Sequence, residues 1–228
     1  MKQLWKISGF AYIMIFIGGF YANFAILEEL VDFNNSIETT SNIIDNHNQF
    51  GKGLLGFLIM LIFDFLLVFT LFDLTKKTQK ILSYWASFFR LLHALFFAFS
   101  LSKLWLIFQQ TSQANTTNNL QQEVMKYLIE FDFLWTLGLL FFAVHLTILS
   151  IISLKVKFIP NYLGVLLALA AFGYFIDGLA KLTFNNYQDY QFYFETLVIL
   201  TGVLGELSFT FWLLIKSLKK TSLNIQTI

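Results

Sequence analysis

The chain of 228 residues contains no cysteine, which removes disulfides, thiolate metal sites, a cysteine nucleophile and palmitoylation together. Proline occurs once, at Pro160, so the proline-broken helices that mark many carriers are not expected. Arginine also occurs once, at Arg90, among many lysines, and with abundant Ile, Asn and Phe this fits an AT-rich bacterial genome. Charged residues are only 13% of the chain and nearly cancel, to a net +1, so their distribution carries the information and their sum does not. No nucleotide-binding loop, low-complexity tail or soluble domain is legible, and nucleic acid is not a partner that this composition supports.

What fills the chain instead is apolar sequence. Hydrophobic residues make up 57%, with 29 Phe. Runs of about 20 apolar residues recur from end to end, the length needed to cross a bilayer. Spans are expected at 5–27, 53–75, 81–108, 128–153, 161–182 and 193–216, giving an all-α integral membrane protein, a single bundle of six transmembrane helices over residues 1–228. The connecting segments alternate strictly in charge. Met1–Lys6, "TKKTQK" (75–80), "SLKVKF" (153–158) and "KSLKK" (216–220) are basic. Residues 27–49, "TSQANTTNNLQQE" (111–123) and "NNYQDYQ" (185–191) are acidic or neutral. The positive-inside rule then places both termini in the cytoplasm of a bacterial inner-membrane protein. The first span is longer than a signal-peptide core and reads as an anchor. Pro160 falls where the fifth span starts, a place where its missing N–H costs nothing. Trp5, Trp85, Trp105 and Trp212 lie near span ends as interfacial anchors, while Trp135 fits either an anchor or the interior.

Against this background a few ionisable residues stand inside the spans: Asp64, Arg90, His93, His145, Asp177 and Glu206. All but Asp177, which lies toward the outer side, fall near mid-membrane, where a charge costs about 2.5–3.5 kcal/mol even on insertion scales. Arg90 and His93 share a helical face with Phe97 and Ser100. Gly138 aligns with His145, Gly202 with Glu206 and Thr210, and Tyr174 with Asp177 and Lys181. Gly53, Gly56, Met60 and Asp64 lie along one side of the second span. Small residues on these faces allow close helix approach, so the stripes are expected to point inward. The guanidinium cannot shed its proton, so Glu206 or Asp64 is expected to balance it, with one carboxylate in formal surplus. Asp73 is expected to pair with the nearby Lys76 or Lys77, and Lys103 and Lys181 to snorkel outward.

The stretch "LGLLFFAVHLTILSIISLKVKFIPNYLGVLLALAAFGYFIDGLAKL" (137–182), followed by "LGELSFTFWLLIKS" (204–217), resembles the bacterial membrane proteins of domain-of-unknown-function family 4386. The order of "FRLLHA", "FFAVHL", "IPNYLGVLLALAAFGYFID" and "GELSFTFWLLIK" fits that family as well. The resemblance implies a bacterial six-helix membrane protein, and it maps the family's polar positions onto Asp64, Arg90, His145, Asp177 and Glu206. It implies no chemistry.

Several functions remain open on the residues alone. The polar groups can form a neutralised network that only sets helix register. They can form a proton-linked pathway or small-molecule carrier, with Glu206 binding the proton, Arg90 as a modulating charge or an anchor for an anionic substrate, and His145 as relay. They can hold a divalent metal through His145, His93, Asp64 and Glu206, or a haem between His93 and His145, as a lipid hydrolase or other cofactor protein would. No paired metal motif supports that, and no cofactor is assigned. The chain can also serve as an accessory subunit. The expected partners are the lipid bilayer, a small-molecule or lipid ligand, and a second copy or another membrane protein.

Overall fold

The computed structural model describes residues 2–112 and 117–218. Met1, Lys219 and Lys220 of the outermost basic segments, and Gln113–Thr116 of the second neutral loop, lie outside the described residues. The described chain runs α1 (Lys2–Ala22), a π-helical continuation (Asn23–Glu28), α2 (Ser36–Asp45), α3 (His47–Thr75), α4 (Lys80–Thr111), α5 (Asn118–Lys155), α6 (Asn161–Thr183) and α7 (Tyr187–Leu218). Six of these helices are long and apolar enough to cross a membrane. Each packs on its neighbours in sequence, and α7 returns against α1, so the six close into an up-and-down ring.

The helices outrun the expected spans, because polar residues at their ends continue the helix beyond the apolar run. At about 1.5 Å per residue, the 38 residues of α5 exceed the hydrocarbon core by several turns. Its extra length lies at the face opposite the basic segments, and there it meets α2. That ten-residue helix replaces what reads in the sequence as polar loop. It begins at Asn35, whose Oδ1 accepts from the Glu38 N–H at 3.1 Å while its Nδ2 donates to Glu38 Oε2 at 2.9 Å. The Thr39 hydroxyl ties it back to the Asp32 backbone, and Ile43 is fully buried beneath it. We call this side of the molecule the cap face and the other the basic face.

Two apolar clusters fill the ring. Toward the cap face, α1 to α5 contribute Ile26, Phe50, Phe57, Leu104 and Phe131, among others. Trp135 packs against this cluster, on Phe57 and Phe97, and so belongs to the interior. Toward the basic face, Leu67, Leu71, Leu146, Leu149, Leu163 and Leu213 form the second cluster. The residues between the two are polar. In lipid, helices are held by close packing more than by water exclusion, and the glycines show where that packing is tightest. A Cβ on Gly18 would stand 2.6 Å from the Gly56 carbonyl oxygen, backbone against backbone between α1 and α3. A Cβ on neighbouring Gly19 would meet only the sulfur of Met60, at 3.1 Å. Gly18→Ala is therefore expected to lower the thermal midpoint in detergent, by a strain of about 1–3 kcal/mol. Gly19→Ala should move it far less, and equal shifts in the two variants would refute this account of the α1–α3 contact.

Candidate functional site

Every spanning helix sends a side chain into the layer between the two apolar clusters. Arg90 on α4 is at its centre, with 1% of its side chain exposed, and it meets Asp64 on α3, 2% exposed, at 2.5 Å. Of the two carboxylates expected to balance the guanidinium, Asp64 is the one bonded to it. A buried pair survives desolvation only when its other hydrogen-bonding atoms are occupied, and here most are. Arg90 Nη1 donates to the Tyr12 hydroxyl on α1 at 3.3 Å and lies 3.1 Å from His145 Nε2 on α5. The guanidinium also stands over the rings of Tyr12 and Phe142, 5.2 and 5.4 Å from their centroids. Asp64 Oδ2 and Arg90 Nε are left as buried atoms without a hydrogen-bond partner.

The two histidines are committed differently. His145 Nδ1 lies 2.8 Å from the Ala86 carbonyl oxygen, which can only accept, so Nδ1 carries the proton. Its Nε2 lone pair then takes the Arg90 N–H, and both ring nitrogens are occupied. A proton or a metal reaches Nε2 only if Arg90 lets go. His93 Nδ1 likewise donates to the Gly138 carbonyl at 3.0 Å, which leaves Nε2 3.7 Å from the unpaired Asp64 Oδ2. Among the described residues, no three His, Asp or Glu side chains converge as metal ligands.

Glu206 on α7 lies in the same layer, 6% exposed, yet its hydrogen bond runs to a neutral group, the Tyr174 hydroxyl on α6 at 2.8 Å. Phe142 separates this carboxyl–phenol pair from the ion pair. Its ring touches Arg90, His93, His145 and Tyr174 at once. Gly202 gives the arrangement room, since a Cβ there would stand 3.0 Å from the Tyr174 hydroxyl oxygen and press on it.

Asp177 stands apart from this layer, one turn along α6 toward the cap face. It accepts from the Tyr187 hydroxyl at 2.6 Å, beside a Lys181–Asp132 pair at 2.6 Å. Lys103 pairs with Glu130, and Asp73 with Lys76 as its spacing suggests. The structure thus brings together Asp64, Arg90, His93 and His145, sets Tyr174 with Glu206 across Phe142, and puts Asp177 in a second cluster. Two contributors escaped sequence reasoning. Tyr12 sits in an aromatic-rich first span, three residues from small Gly9 on the same face. Phe142 falls one turn before His145, but is one of 29 phenylalanines.

This is a multi-pass membrane protein, a helix bundle closed around buried polar residues. The family described as "Domain of unknown function (DUF4386)" matches residues 7–217, and the chain belongs to it. An uncharacterized protein of Archaeoglobus fulgidus is 28% identical over 166 residues, covering 73% of this chain and 84% of its own length. No solved structure matches.

The buried pair makes a specific forecast. Arg90→Met alone strands Asp64 without its counter-charge and should destabilise the protein by about 3–5 kcal/mol. Adding Asp64→Leu removes the stranded charge, so the double variant should recover much of the lost thermal stability in detergent. Losses that simply add would mean that the two side chains act independently.

Proposed function

We propose that this chain is a proton-linked carrier or binding protein for a small solute, in a prokaryotic cytoplasmic membrane with both termini in the cytoplasm. One observation carries the reading. Two carboxylates lie in the buried layer with one arginine, and only Asp64 is bonded to it, while Glu206 is held by an uncharged phenol. Purely structural neutralisation needs one carboxylate for one guanidinium. The second is a site where a proton can be taken up and released, its charge cancelled in one state and expressed in the other.

Roles follow from the hydrogen bonds. Glu206 is the proton-binding group, and Tyr174 orients its carboxyl. Arg90 is the fixed positive charge that responds to it across Phe142. His145 and Tyr12 hold Arg90 in place, which turns His145 from a relay into a positioning residue. The strict alternation of basic and non-basic segments supports the orientation.

The test is infrared titration of the purified protein, paired with proton uptake by proteoliposomes under an imposed gradient. The wild type should show a titrating carboxylic C=O band that Glu206→Gln abolishes and Asp64→Asn retains, and Glu206→Gln should reduce proton uptake to that of empty vesicles while the protein stays folded. Wild-type proton uptake unchanged in a folded Glu206→Gln protein would overturn the proposal.

A further inference from the structure

The two ends of the buried layer are not equally closed. Toward the basic face, α6 and α7 supply Leu163, Leu167, Phe209 and Leu213 to a continuous apolar cluster. Toward the cap face, the apolar cluster draws on α1 to α5, and neither α6 nor α7 contributes a residue to it. The burial pattern of α7 agrees. Tyr187 is buried, and the next buried residue is Gly202, so residues 188–201 turn no side fully into the protein. A helix packed into a bundle buries a residue every three or four positions. This half of α7 rests on α6, where Gly173 admits the Thr201 side chain and Phe184, at the end of α6, meets Phe194 edge-on, but it does not seal the ring.

Polar groups follow the same gap. On α6, Lys181, Asp177 and Tyr174 are spaced by four and three residues and so share one face, covering about 10 Å of depth. Each has a polar partner: Asp132 for Lys181, the Tyr187 hydroxyl for Asp177, and Glu206 for Tyr174. The Lys181–Asp132 pair is about a third exposed (30% and 31%), and Glu206 at the other end is 6% exposed, so the series grades from open to buried. Charged pairs at this depth are costly against lipid and cheap against water.

We infer that Glu206 is reached from the cap face alone, through a hydrated crevice on the inner side of α6 and the outer half of α7, where neither helix joins the apolar cluster, and in which Asp177, Tyr187 and Tyr174 pass protons inward. The inference rests on the reading of Glu206 as the proton-binding group, and it adds the side of the membrane from which that group is supplied. The apolar cluster at the basic face is the barrier that any release to the other side must open.

Because the native chain has no cysteine, accessibility can be read on single-cysteine variants without a background to remove. Asp177→Cys, Val198→Cys and Glu206→Cys sample the crevice. Leu200→Cys, at the depth of Val198 but 58% exposed on the outside of the bundle, reports lipid-facing reactivity. Leu71→Cys samples the basic-face cluster. A membrane-impermeant cationic methanethiosulfonate is applied to oriented vesicles from either face, since it reacts with hydrated thiolates. The crevice positions should be modified from the cap face about tenfold or more faster than Leu200→Cys, while Leu71→Cys stays protected from both faces. Modification no faster than at Leu200→Cys, or modification of Glu206→Cys from the basic face, would overturn the inference. Should Glu206→Cys fail to fold, the conservative Val198→Cys and the partly buried Asp177→Cys decide the outcome. Labelling reads access and the infrared and uptake measurements read proton binding and movement, so either idea can fail without the other.

Discussion

A guanidinium that cannot lose its proton, buried inside a bundle of membrane-spanning helices, constrains everything around it. Arg90 needs a counter-charge within contact distance, and Asp64 supplies it from the neighbouring helix at 2.5 Å. It needs acceptors for its remaining N–H groups, and Tyr12 and His145 bring α1 and α5 to the same point. It is also covered by aromatic faces, and Phe142 provides one while extending the contact to Tyr174 on α6. A register slip of one residue in any of these helices would leave a charge or a donor stranded in an apolar medium. Desolvation offsets much of what the pair gains, so its effect on which arrangement forms exceeds its effect on how stable that arrangement is.

Around this point the bundle is built unevenly. Between α1 and α3 the backbones approach until Gly18 and Gly56 leave no room for a side chain, and a capping helix closes the outer end over α3 to α5. Between α6 and α7 the contact is closest from Gly173 and Gly202 inward, and the outer half of α7 buries no residue between Tyr187 and Gly202. Glu206 is the buried carboxylate of that helix. The carboxyl–phenol pair therefore belongs to the two helices that contribute nothing to the cap-face cluster, while Asp64 and Arg90 belong to helices that do.

Much of this was legible beforehand. Apolar runs of bilayer length define the spans because lipid forces every backbone polar group into a helix, whatever the tertiary context. The polar positions announced themselves by their cost, and helical periodicity alone put Arg90 with His93, and Tyr174 with Asp177, on common faces. The α2 helix was missed although Asn35 and Glu38 have capping-box spacing, because ten half-polar residues between two spans look like loop. Trp135 could not be placed either as anchor or as interior from its position in the span, and its neighbours Phe57 and Phe97 come from two other helices.

The choice between Asp64 and Glu206 as the partner of Arg90 was closed to sequence reasoning for the same reason. Depth along a span is a one-dimensional property, and both carboxylates have the right depth; which one touches the guanidinium depends on the order and rotation of helices around the ring. Tyr12 and Phe142 were invisible because an aromatic residue in an aromatic-rich membrane protein carries no mark of its role until a cation is set against its face. The sequence by itself determined the class, the spans, the cap-face and basic-face segments and the inventory of buried charge, since each follows from local composition measured against a lipid solvent. Pairing, the tautomer of His145, the placement of Glu206 with Tyr174 and the uneven closure of the ring were decided only by tertiary packing, because each depends on residues far apart in the chain, as Arg90 and Tyr12 are at 78 positions.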